Sequence, residues 1–234
     1  MNFFYRKEIE GLRAIAVISV ILYHTKLIFN NHEVFQGGFI GVDIFFVISG
    51  YLISSIIFNE IKKNNFFSIK YFYQRRIRRI IPLLLIVLAF SYLAAWIYLL
   101  PSNYVELSKS SLSSLFFLSN FYFYFTGLEY GGANSLLIPL LHTWSLSVEG
   151  QFYLIYPLII FVIFKYFRNK IILFLAIFFI FSFILSIYLS NYSPYFNFYK
   201  LGSRVWELLA GSIISYFHFY NYEKVGKVNT KYFK

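Results

Sequence analysis

Six apolar stretches of near-membrane length recur along this chain, at roughly 12–30, 39–61, 80–100, 145–164, 171–189 and 203–220. A hydrocarbon core about 30 Å thick is crossed by about 20 residues of helix. Lipid offers the backbone no hydrogen-bond partner, so each crossing segment must satisfy its own polar groups, as a helix does. The stretches therefore predict an all-α fold, a polytopic integral membrane helix bundle of about six spans. Composition agrees: 59% of residues are hydrophobic and only 13% charged, with a mean hydropathy of +0.63. Soluble domains carry about 25% charged residues. The first stretch follows Arg6 and Lys7 as a signal peptide would. It lacks a small-residue cleavage site and carries His24 and Lys26, so it reads as a retained first helix.

Charge sets the topology. Basic residues cluster at Arg6 and Lys7, at seven positions within 62–79, at Lys165, Arg168 and Lys170, and at Lys224, Lys227, Lys231 and Lys234. The segments 25–38, 101–144 and 190–203 hold one each: Lys26, Lys109 and Lys200. Basic loops stay in the cytoplasm. All four clusters share that side only if 101–144 begins and ends outside. The Ser-studded run LSKSSLSSLFFLSNFYFYF and the Gly-rich GLEYGGANS then form a re-entrant outer segment, whose backbone must be surrounded by protein or line a water-filled cavity. A seventh span is the alternative, and it would put the 165–170 linker and the tail outside. The expected organisation is a membrane domain over 1–220 and a basic cytoplasmic tail over 221–234, in a bacterial plasma membrane, with a cytoplasmic N-terminus. The net charge of +11 is thus a signature of topology, with the bilayer as partner and no nucleic acid expected. The absence of cysteine excludes disulfides and thiolate catalysis, and four scattered histidines predict no metal site.

Ionisable residues within spans are costly and point to function. Arg13 and His24 lie 11 positions apart, on one helix face and about 16 Å apart along the axis. A neutral imidazole at His24 can serve as a general base or accept an acyl group. Asp43 opens the second span and can orient that imidazole or pair with a basic group. Residues 72–82, FYQRRIRRIIP, hold four arginines in a chain that otherwise favours lysine. Guanidinium makes bidentate contacts to phosphate, so this cluster predicts a phosphorylated ligand at the cytoplasmic side. Arg76 and Arg79 share one helix face, and Arg75 and Arg78 share another. LLHTWSLSVEGQFYLIYP (140–157) gathers His142, Trp144, Ser145, Glu149 and Gln151 within about three turns. Glu149 needs a partner there.

On these motifs, together with EGLRAIAVISVILYH (10–24), GGFIGVDIFFVISGYLI (37–53), LSNFYFYF (118–125) and SRVWELLAG (203–211), the chain resembles the acyltransferase 3 family of membrane acyltransferases. The nearest branch O-acetylates bacterial surface polysaccharide or peptidoglycan. The resemblance implies transfer of an acyl group, by default acetyl, from cytoplasmic acyl-CoA to a hydroxyl of an outer glycan, with no permanently bound cofactor. It places the family's Arg–His signature on Arg13 and His24, and its arginine pair on Arg76 and Arg79 or on Arg75 and Arg78. On the reading of acyl transfer, Asp43 or Glu149 is the group that orients His24, and His142, Trp144 and Ser145 are expected on the substrate side. Gly150 stands where an acidic residue is common. Family domains have more spans than the six counted here, and the branch often carries an esterase-like domain. The resemblance therefore implies a downstream polypeptide that supplies these parts. The alternative is a transporter or flippase of lipid-linked sugars that uses His24, Asp43 and Glu149 as a proton relay, or an inactive fragment.

Overall fold

The structure, a computed structural model, describes residues 7–29, 32–127 and 138–229. Arg6, most of the Gly-rich stretch, Lys231 and Lys234 lie outside the described residues. The described chain is almost wholly helical. The elements are α1 (Lys7–Thr25), a two-stranded ribbon β1 (Ile28–Phe29) and β2 (His32–Glu33), α2 (Ile40–Asn64), α3 (Ile69–Tyr98), α4 (Pro101–Leu115), α5 (Ser119–Phe125), α6 (Thr143–Phe167), α7 (Ile171–Tyr192), α8 (Pro194–Tyr199) and α9 (Leu201–Asn229). Ile28 pairs with Glu33, and Phe29 with His32, in antiparallel register.

Several boundaries differ from those read off hydropathy. The first helix starts at Lys7 and stops at Thr25, where Lys26 takes a left-handed backbone with φ 46°. The third starts at Ile69, so the arginine cluster lies within the helix and Pro82 is carried in its interior. Ser68 caps it, its hydroxyl accepting from the Tyr71 amide at 3.4 Å. The last helix continues to Asn229, through much of the expected tail. Among the described residues, three helical stretches are long and apolar enough to cross a membrane: Gln36–Asn64, Ile69–Tyr98 and the 50-residue Thr143–Tyr192. The last is α6 and α7 joined by a 3-10 turn at Arg168–Lys170. Within 101–144, the described helices α4 and α5 have 15 and 7 residues.

The chain divides into two compact units. The first comprises 1–67, 160–184 and 205–234; the second comprises 68–159 and 185–204. In the first, small residues let helices touch backbone to backbone, the packing that membranes favour. Gly38 lies against Ser19 and Tyr23, and Gly41 against Ala16 and Val20, which makes α1 and α2 antiparallel. Gly50 meets the Leu208 backbone, Gly211 meets Val47 and Tyr51, and the Ser55 and Ser215 hydroxyls bond at 2.9 Å. Lys62 Nζ donates to the Phe219 carbonyl at 3.4 Å, so α2 and α9 run parallel. Arg168 donates to the Asn65 side chain at 3.2 Å. The start of α1, the end of α2, the 165–170 linker and the end of α9 thus share one end of this unit, which agrees with the charge pattern of the sequence.

In the second unit, α3 packs on α4 through Leu84, Leu88, Ala95 and Leu107, joined by Leu140. Four serines of the ambiguous 101–127 stretch face inward. Ser110, Ser111, Ser114 and Ser119 are buried. Ser110, Ser111 and Ser114 donate to carbonyls three or four residues back, at 2.7–2.9 Å. Ser114 bonds the Thr143 hydroxyl at 2.8 Å, and Ser119 bonds the Ser147 hydroxyl at 2.7 Å. These bonds fasten α4 and α5 to α6.

Candidate functional site

A groove of about 460 Å³ lies in the second unit, within the roughly 300–1,000 Å³ range of small-molecule sites. Its walls are Tyr73, Arg76, Ile77, Ile80 and Ile81 from α3, Phe116, Phe117 and Leu118 from the α4–α5 corner, and Gly150, Gln151, Tyr153 and Leu154 from α6. Arg76 is the only charged residue among them. A second hollow of about 500 Å³, along Ile86, Phe90 and Tyr98, has no charged side chain in its lining, and its hydrogen-bonding side chains are Ser91 and Tyr98.

Helix periodicity explains why one arginine of four faces the groove. Tyr73, Ile77, Ile80 and Ile81 form a stripe at helical spacing, and Arg76 sits on its edge. Arg75, Arg78 and Arg79 fall roughly 120° or more round the axis from the centre of that stripe, and all three are exposed while Arg76 is half-buried. Arg75 instead stacks on Tyr71 of its own helix at 4.3 Å. The pair Arg76 and Arg79 is therefore split: same-side spacing does not bring Arg79 into the groove.

Arg76 is packed between rings, 5.7 Å from the centre of Phe72 and 5.8 Å from that of Tyr153. The Tyr153 hydroxyl donates to Glu149 Oε2 at 3.0 Å, and the Glu149 carboxylate is near enough to act electrostatically on Arg76. Arg76, Tyr153 and Glu149 form one connected group, with the guanidinium supplying donors for an anion and the carboxylate fixing the phenol. Across the groove, the Tyr73 hydroxyl donates to the Leu154 carbonyl at 2.6 Å.

The α4–α5 corner is set by a second polar group. Gln151 Nε2 donates to the Phe117 carbonyl and to Asn120 Oδ1, both at 2.8 Å, and Asn120 Nδ2 donates to the Tyr199 carbonyl at 2.9 Å. Phe117 sits at φ 56°, a backbone that costs a bulky residue about 1–3 kcal/mol. Its ring lies on Gly150, where a Cβ would overlap it. Gly150 therefore admits a neighbouring ring.

Trp144 is 1% exposed. Phe198 and Tyr199 cover it, with ring centres 4.3 and 5.7 Å away, and the Arg204 guanidinium lies 5.8 Å from its ring. It is enclosed in protein and packs the top of α6. His142 is exposed and Ser145 half-buried beside it, the Ser145 hydroxyl donating to the His142 carbonyl at 3.1 Å. Sequence reasoning gave no part to Lys200. It is 7% exposed and caged by Phe121, Tyr124, Phe125 and Phe196, with Nζ 3.7–5.9 Å from their centres. Burial lowers its pKa, while the ring faces favour the cation. Its sequence signal was its position as the lone basic residue of an otherwise uncharged linker.

His24 and Asp43 belong to the first unit. His24 is exposed in the last turn of α1, its ring edge-on to Tyr23 at 5.2 Å. Tyr23 in turn packs on Phe39 at 5.9 Å. Asp43 is half-buried in the first turn of α2, and Arg13 is half-buried two turns into α1. The glycine contacts at Gly38 and Gly41 bring the helices that carry His24 and Asp43 into direct packing.

This arrangement, an apolar helix bundle with an arginine-headed groove, agrees with comparison to known proteins. The family model described as an acyltransferase domain matches residues 6–228, and the chain belongs to that family. With its long apolar helices, this makes it a membrane protein of the acyltransferase class. The chain is 35% identical over 217 residues to the peptidoglycan O-acetyltransferase OatA of Listeria monocytogenes, a match covering 91% of this chain and 34% of that protein. It is 37% identical over 161 residues to the O-acetyltransferase OatA of Staphylococcus aureus, covering 67% of this chain and 25% of that protein. It thus spans about a third or less of the length of these relatives. No solved structure matches it.

Proposed function

We propose that the chain forms the membrane part of an O-acetyltransferase that moves an acetyl group from cytoplasmic acetyl-CoA to a hydroxyl of a cell-surface glycan, peptidoglycan being favoured by the names of its relatives. The observation that carries this reading is the groove headed by Arg76. It offers one half-buried guanidinium for the CoA phosphates and an apolar channel for the pantetheine arm. Arg75, Arg78 and Arg79 add positive potential at the membrane surface, which attracts the anionic donor, and Arg13 does the same on α1. His24 acts as general base. It takes the proton of the acceptor hydroxyl as that oxygen attacks the thioester carbonyl; the C–S bond breaks, and the CoA thiolate recovers the proton. Asp43 orients the imidazole, and Glu149 holds Tyr153 and balances Arg76. His142 and Ser145 lie on the acceptor side.

In this reading the chain crosses a bacterial plasma membrane six times with its N-terminus in the cytoplasm, and 101–144 dips into the membrane from outside. The inward serines support that placement, because they satisfy polar groups where water is scarce. A downstream polypeptide supplies further helices or an esterase-like domain, consistent with the relatives' greater length. The test is transfer from radiolabelled acetyl-CoA in membranes holding the full-length protein. His24→Ala is expected to abolish transfer, and Arg76→Ala to raise KM for the donor at least tenfold. Full activity of His24→Ala overturns the scheme. Label retained on the enzyme rather than the glycan makes His24 the acyl carrier instead of a base. Sugar-lipid movement without acyl transfer makes the protein a flippase.

A further inference from the structure

We propose that Lys200 and its cage of rings bind an acidic sugar of the acceptor glycan, the ammonium taking a carboxylate and the rings the face of the sugar; this rests on an outer glycan being the acceptor. Lys200 is 7% exposed. Its Nζ lies 3.7 Å from the ring centre of Phe121, 4.1 Å from that of Tyr124, 4.9 Å from that of Phe125 and 5.9 Å from that of Phe196. The ring faces favour the positive charge. They leave its N–H donors without an oxygen acceptor: among the described residues, no carboxylate, carbonyl or hydroxyl bonds the ammonium. An apolar side chain would fill the same cage without the cost of desolvating a charge. A buried ammonium with unused donors calls for an anion, and the described chain supplies none.

Placement gives the side of the membrane. Phe121, Tyr124 and Phe125 belong to α5 and Phe196 to α8, and Tyr124 packs edge-on to Phe196 at 5.8 Å. Tyr199, beside Lys200, packs on Trp144 at the start of α6, and its carbonyl accepts from Asn120 of α5 at 2.9 Å. In the proposed topology the linker 190–203 and the start of α6 lie outside. Trp144 stands about 14 Å along α6 from Tyr153, the ring that meets Arg76. The cage therefore lies toward the acceptor and Arg76 toward the donor. The cover over the ammonium is one ring thick, since Phe125 is 77% and Phe121 37% exposed. Aromatic faces carry negative potential, which the C–H bonds of a pyranose face meet favourably. A shift of one outer ring then opens the ammonium to a substituent of that sugar. Lysine presents a single compact charge, whereas the arginine fork, abundant in α3, matches phosphate. A carboxylate is the anion that one lysine suits.

The test uses the full-length protein in nanodiscs and two probes: the peptidoglycan disaccharide with its lactyl carboxylate free, and the same disaccharide with that group as a neutral amide. Equilibrium binding and acetyl transfer are both measured. Wild type is expected to bind the acid about tenfold or more tightly than the amide, the worth of a charge-assisted contact. Equal binding overturns the proposal whatever the variants do. Lys200→Met, which keeps the bulk of the side chain, is expected to abolish the preference for the acid while KM for acetyl-CoA stays within about twofold. Lys200→Arg retains part of the preference, and Phe125→Ala weakens acid and amide alike. An unchanged preference in Lys200→Met makes the ammonium a structural prop and overturns the subsite, while transfer that still depends on His24 leaves the acetyl-transfer reading standing. Binding of the acid that depends on Lys200, without any acetyl transfer, supports the subsite and sinks the transfer reading. If Lys200→Met releases a bound anionic phospholipid and leaves disaccharide binding unchanged, the cage is a lipid-headgroup site and the proposal falls.

Discussion

In the first unit, Gly41, Gly50 and Gly211 press against the main chain of a neighbouring helix, and around the last two Phe58 packs edge-on to Tyr216 at 5.8 Å and Ser55 bonds Ser215. In the second, Gly150 presses against a ring, and α4 and α5 are tied to α6 by hydroxyl and amide bonds through Ser114, Ser119, Asn120 and Gln151. Backbone cannot retreat from an added methyl group without moving a whole helix, whereas a ring or a hydroxyl can rotate. An added methyl group is therefore harder to accommodate at the glycines of the first unit than at Gly150 in the second.

The sharpest way to break this contrast is in the first unit. Gly50→Val drives branched carbons into the Leu208 backbone and is expected to abolish folded protein, seen as loss of the monodisperse peak on size exclusion. Gly50→Ala should cost about 3 kcal/mol, and Gly150→Ala distinctly less, by thermal melting in detergent. Equal losses at the two glycines would erase the distinction.

A second comparison lies within the groove. Arg76→Ala is expected to weaken CoA binding about 10- to 100-fold, the worth of a charge-assisted contact of about 1.5–3 kcal/mol. Arg75→Ala should change it less than about threefold, because an exposed charge is screened by salt. Equal effects from the two arginines would mean that surface charge, not the groove, holds the donor.

Smaller effects sharpen the picture of the corner. Ser147→Ala removes the partner of the Ser119 amide and hydroxyl and is expected to cost about 1 kcal/mol, lowering the melting temperature by a few degrees. The smallest effect is at Glu106. Its carboxylate bonds Lys109 at 2.7 Å and also accepts from the Tyr122 hydroxyl, joining α4 to α5, and these bonds hold its pKa below the ordinary glutamate value. The tie is then complete above that ordinary value and weakens as pH falls through the lowered one. The melting-temperature gap between wild type and Glu106→Gln should be small at pH 7 and close toward pH 3. A gap that widens on acidification would show that Glu106 is not stabilised as a carboxylate.

Much of the bundle was legible because its signals are local. Twenty-residue apolar runs and basic clusters each act within one helix or at one helix end, and the first unit gathers the start of α1, the end of α2, the 165–170 linker and the end of α9 at one end. Helix starts were less legible. Hydropathy marks where lipid begins, while α3 starts 11 residues before its apolar run at the cap on Ser68, and α9 continues past its own run. The inward arginine could have been chosen from the stripe of Tyr73, Ile77, Ile80 and Ile81, had the stripe's centre been set against each arginine in turn.

The sequence by itself determined a membrane bundle, its basic face, its family and the set of ionisable residues worth testing, because composition and periodicity act over neighbouring residues. Only the tertiary structure decided that Arg76 faces a groove with Tyr153 and Glu149, that Phe117 sits on Gly150, that Trp144 is enclosed and that Lys200 lies in an aromatic cage. Those facts join residues some 30 to 80 positions apart, and no local preference encodes which of many apolar or polar partners a side chain will meet once the helices pack.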